Sequence, residues 1–93
     1  MGLPDRLPFR ALWDMAREEH RRGAADAAFE IWLDLAQSRN PYRGRALLKL
    51  AKRYERREKN YATALEVTLQ ASAVHEHPGL RRRQARLRKR LSR

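Results

Sequence analysis

Apolar residues recur at helical spacing in five stretches of the chain, each closed by a break in the pattern. Leu12, Met15 and Ala16 share a face with Glu19; Pro8 opens that stretch, and Gly23 stops it behind Arg21 and Arg22. Asp26 stands in the first turn of a second helix, where a carboxylate suits the helix dipole, and Ala28, Ile31, Trp32 and Leu35 form its apolar stripe, ending near Ser38. Asn40 and Pro41 read as an N-cap and a first helical position, followed by a stripe of Leu47, Leu50, Ala51 and Tyr54. Gly44 weakens that helix's first turn by up to about 1 kcal/mol relative to alanine. Lys59-Asn60 breaks the pattern before Tyr61, Ala64, Leu65, Thr68, Leu69 and Ala71 define a fourth helix. After His77-Pro78-Gly79, Leu80, Leu87 and Leu91 lie on one narrow stripe of an arginine-rich last segment. No stretch reads as a strand, so the predicted fold class is all-α.

The first two helices are echoed by the next two. Arg10, Leu12, Met15, Ala16, Arg17, Arg21 and Arg22 recur 35 residues later as Arg45, Leu47, Leu50, Ala51, Lys52, Arg56 and Arg57. The offset then becomes 36, with Ala28, Glu30, Ile31 and Leu33 recurring as Ala64, Glu66, Val67 and Leu69. An extra residue inside a helix would turn every later side chain about 100° off the buried face, so the insertion is expected in the hairpin turn. A period of this length predicts stacked helical hairpins, here residues 8–38 and 41–74, closed by a basic capping helix at 78–93, all in one domain. The alternative for the last stretch is disorder, since eight cations without a carboxylate gain no intrahelical pairs. Helix is preferred because the last hairpin needs a polar-faced helix over its apolar edge, and the three leucines suit that role.

Composition narrows the function. A chain of 93 residues buries only about 60% of its unfolded surface, too little for a large enzyme cleft, which points to a binding module without catalytic residues. With no cysteine, disulfides, thiolate nucleophiles and cysteine zinc sites are excluded, and a reducing, cytoplasmic setting is expected. No apolar run approaches the roughly 18 to 20 residues of a membrane span, Asp5 and Arg6 stand where a signal peptide would be apolar, and Met1-Gly2 lacks the myristoylation serine or threonine at position 6. The net charge of +11 is concentrated in two blocks: residues 39–59 carry 9 basic and 2 acidic groups, and 81–93 carry 8 and none. Like charge gathered in this way signals an anionic partner, nucleic acid first and acidic protein second.

With these residues placed, the chain resembles tetratricopeptide (TPR) repeats. The first repeat offers Leu12, Met15-Ala16, Gly23, Ala28, Trp32 and Leu35, with Glu19 where the family has an aromatic. The second offers Leu47, Leu50-Ala51, Tyr54, Ala64 and Ala71, with Glu58 at the turn glycine and Thr68 at an aromatic position. More narrowly, the stretch from Ala51 to Ala71 and the following Arg-rich helix resemble the C-terminal helical region of bacterial YprB-type proteins, which follows a ribonuclease H-like exonuclease domain in that family. The resemblance covers roughly residues 10–93 and none of the nuclease domain. It implies a two-hairpin α-α superhelix acting as a non-catalytic accessory that holds nucleic acid or a protein partner, with no metal or cofactor carried over.

The TPR register puts Arg10, Trp13, Arg17, His20 and Arg21 of the first repeat, and Arg45, Leu48, Lys52, Glu55 and Arg56 of the second, on a concave face. Three matched places are basic in both: Arg10 with Arg45, Arg17 with Lys52, Arg21 with Arg56. Such a face suits phosphate or carboxylate oxygens, the alternative being a merely solvated basic surface. Trp13 either stacks a base or partner side chain there or packs against Phe9 or a further domain, whereas Trp32 has the register of a core aromatic. The terminal cations Arg81, Arg82, Arg83, Arg86, Arg88, Lys89 and Arg90 can grip phosphate without reading sequence. Neutralising six phosphates on duplex would give a slope of log K on log[salt] of about −5. The alternative is a solubilising cap. Three leucines without an aromatic make a thin face for lipid, and two repeats leave an exposed edge that could self-associate.

Chemistry is weakly signalled. Asp14 with Glu18, and Glu30 with Asp34, are carboxylate pairs of the kind helix surfaces produce routinely. His75-Glu76-His77 reads as a loop before Pro78 rather than as a metal site.

Overall fold

Pro8, which cannot donate a backbone hydrogen bond, stands at the N-cap of the first helix of the computed structural model, α1 (Phe9–Arg21). The structure describes residues 7–93, so the expectations resting on Met1-Gly2, Asp5 and Arg6 lie outside it. Gly23 takes φ +87° behind α1, and Ala24 N–H closes the end on Glu19 O at 2.8 Å, the bond of a glycine-terminated helix. α2 (Ala25–Ala36), α3 (Arg43–Arg56), α4 (Tyr61–Val74) and α5 (Pro78–Leu91) follow, with no strand among the described residues. The basic last stretch is therefore helical. None of the described helices is long and apolar enough to cross a membrane.

The extra residue of the second repeat lies in its turn: residues 22–24 join α1 to α2, and 57–60 join α3 to α4. Lys59, not Glu58, takes the left-handed conformation there, at φ 53°. Asn60 caps α4 by accepting from Thr63 N–H at 3.2 Å, and His77 caps α5 by accepting from Gly79 N–H through Nδ1 at 3.0 Å. Asn40 does not cap α3 directly. Its side chain accepts from Tyr42 N–H at 2.8 Å and donates to Leu35 O at 2.9 Å, so residues 40–42 form a turn and the helix begins two residues after Pro41.

Each helix packs most extensively on its neighbours in the chain, giving a molecule of 56 × 27 × 19 Å. The core passes from Ala16 through Ala28, Trp32 and Leu35 to Leu47 and Leu50, then to Ala64, Thr68 and Ala71, and ends under Leu80 and Leu87. Thr68 keeps its buried hydroxyl satisfied by donating to Ala64 O at 2.6 Å, which allows it the place of an aromatic. Three expected core positions are exposed. Met15, at 44% exposure, stands about 100° round α1 from buried Ala16, off the side that packs against α2. Leu69 of α4 and Leu91 of α5 are likewise exposed. The buried stripe of α5 is completed by Arg83 instead. Gly44 has a use the sequence did not reveal: a Cβ there would lie 2.4 Å from the Cβ of His75, so the glycine lets α3 and the end of α4 approach.

Candidate anion-binding groove

On α1, residues 17, 20 and 21 follow one another at helical spacing and carry Arg17, His20 and Arg21; on α3, residues 49, 52 and 56 carry Lys49, Lys52 and Arg56. These side chains line two adjoining cavities of about 470 and 380 Å³, which share His20, Trp32 and Lys49 and so form one trough. Trp32 of α2, 4% exposed, is its floor. Lys49 Nζ lies 5.8 Å from the Trp32 ring centroid, and the His20 ring lies 5.5 Å from it, tilted by 50°.

The acidic groups in the trough are already engaged. Glu18 takes Arg21 at 2.5 Å, and Asp14 faces Arg10 at 3.8 Å. Two further cations, Arg53 of α3 at 2.8 Å and Arg57 just beyond its end at 3.8 Å, are held by Asp26 of α2. Arg53 also reaches Glu58 at 3.2 Å, donates to Ala25 O at 3.2 Å and lies 4.2 Å over the Phe29 ring, so it fastens the two hairpins together. Arg17, Lys49, Lys52 and Arg56 have no ion pair among the described residues. Partial burial, followed by the charges of Lys49, Arg83 and Arg56, pushes the Lys52 ammonium below its ordinary value. Such crowding of like charge is relieved by an anion.

Of the matched cations, the trough therefore gathers Arg17 with Lys52 and Arg21 with Arg56, while Arg10 and Arg45 are exposed outside it. Trp13 does not line it. Its ring stacks on Tyr42, centroids 5.7 Å apart and planes 19° apart. Leu48 packs against the core. Lys49 was missed because the repeat register assigns that place to Leu48, although Lys49, Lys52 and Arg56 already share a face at i, i+3 and i+7.

The α5 cations divide into two groups. Arg83 is buried and pairs with Glu55 of α3, and Arg86 grips the same carboxylate with two hydrogen bonds of 2.9 Å. Arg90 lies 4.2 Å over the Tyr61 ring. Arg83, expected to contact phosphate, instead serves the fold, its guanidinium only 8% exposed beside its own carboxylate. Glu55, expected in the groove, is its counter-charge. Arg81, Arg82, Arg88 and Lys89 are exposed and carry no ion pair among the described residues. Among the described residues no group of three or more metal-ligating side chains is assembled. No family model matches the chain, and no curated protein or solved structure is significantly similar to it.

Proposed function

We propose that the chain is a TPR-like two-hairpin binding module that holds an anionic polymer, nucleic acid without sequence preference, as a non-catalytic accessory to a nuclease-type protein. The observation that carries this reading is the trough between α1 and α3, where Arg17, Lys49, Lys52 and Arg56 stand unpaired around one floor, with the charges of Lys49 and Arg56 crowding Lys52. Both walls carry matched cations of the sequence repeat, which supports a repeat-built groove over a chance patch. The exposed cations of α5 add a second, sequence-blind attraction for phosphate.

Fluorescence anisotropy with labelled nucleic acid and a polyglutamate control, titrated with salt, tests it. The Arg17→Glu, Lys52→Glu double variant is expected to weaken binding strongly on all sequences alike, since it reverses charge on both walls. Replacing Arg82, Arg88 and Lys89 by alanine should weaken binding uniformly and flatten the salt dependence, with Arg86 spared because it holds Glu55. Polyglutamate bound as tightly as nucleic acid would turn the reading to an acidic protein segment.

A further inference from the structure

Lys49 lies over the Trp32 ring and lines both cavities, so it is a floor cation, with Arg17 on one wall and Lys52 and Arg56 on the other. The size of the two cavities, about 470 and 380 Å³, selects what fits around it. A duplex carries its phosphates on the ridges of a convex cylinder, between grooves about 12 and 6 Å wide, and would rest on the rims of a trough this small. A single strand is narrow and flexible enough to lie within it.

His20 supplies the second argument. Its ring is backed by Trp32, is exposed, and opens into both cavities. Imidazole is among the groups on which unpaired bases stack. The other rings nearby are engaged: Trp13 with Tyr42, and Phe29 with Tyr54 and Arg53.

We infer that the groove is a single-strand site, in which a DNA or RNA strand lies along the trough with its phosphates on Arg17, Lys49, Lys52 and Arg56 and one base stacked on His20. This rests on the nucleic-acid reading above and deepens it. Four trough cations on a single strand contribute about −3 to the slope of log K on log[salt], at roughly −0.7 for each phosphate neutralised, and the α5 cations add to it.

The deciding experiment compares the full chain on a labelled strand, deoxy or ribo, and on the duplex of the same sequence at equal salt. The strand should bind at least about tenfold more tightly. Lys49→Ala should lower the strand's slope by about 0.7 and weaken strand binding more than duplex binding. His20→Ala should weaken strand binding about tenfold without changing the slope, and His20→Phe, which keeps a ring on Trp32, should restore it. Duplex bound as well as the strand, or both alanine variants without effect on the strand, overturns the single-strand site while the nucleic-acid reading stands. Binding to neither nucleic acid, or equal binding to polyglutamate, overturns both.

Discussion

Glu55 is one carboxylate carrying two arginines of another helix. The Arg86 hydrogen bond, opposed by burial and aided by the charges of Arg86 and Arg83, holds its carboxyl below the ordinary value of 4.5. Because the folded value is the lower one, this contribution to stability is complete above about 4.5 and is lost as pH falls through the folded value. Glu55→Gln leaves Arg83 buried without a counter-charge. It should cost about 3 kcal/mol near neutral pH in urea denaturation, and the difference from the unaltered chain should shrink as acid removes the native charge. Gly44→Ala would ordinarily strengthen a helix by about 1 kcal/mol. Here the new Cβ meets His75 at 2.4 Å, so a net loss of about 1 to 2 kcal/mol is expected in the same measurement, and a gain would show that α4 can yield. At this scale the sequence was partly legible: Ala16, Ala28, Trp32, Leu35 and Ala51 could be placed inside from spacing alone. The burial of Arg83 could not, because its partner lies 28 residues away and no local pattern links them.

α5 shows how an element with seven cations remains ordered. Leu80 and Leu87 are buried against the preceding hairpin, and Glu55 supplies from α3 the carboxylate that α5 lacks. Leu87→Ala removes one of these two anchors and should cost about 3 kcal/mol. Amide exchange should then rise throughout α5 before it rises in α3, whereas a uniform rise would mean that the helices open as one unit. Element boundaries were legible where a local device sets them, as at Gly23, Asn60 and His77. The start of α3 was not, because Asn40 spends its side chain on the turn rather than on the helix. The trough was half legible for a related reason. Repeat matching found Arg17, Arg21, Lys52 and Arg56, but Lys49 and Asp26 matter through contacts between elements that a repeat register does not encode.

Across the whole molecule, 22 basic groups face 11 acidic ones, and the excess gathers in residues 39–59 and 81–93. Folding brings these blocks together, since Arg83 and Arg56 both depress Lys52. Self-repulsion should therefore make the melting temperature rise as sodium chloride is raised from low concentration, with inorganic polyphosphate acting at far lower concentration because it occupies the crowded cations. A falling melting temperature would show that screening of the Glu55 and Asp26 pairs dominates. The chain-neighbour packing of the five helices has a kinetic consequence as well. Few contacts join distant parts of the chain, so relative contact order is low and little loop entropy is lost before contacts form. Folding on the order of microseconds to milliseconds follows, starting from whichever hairpin closes first and spreading to its neighbour.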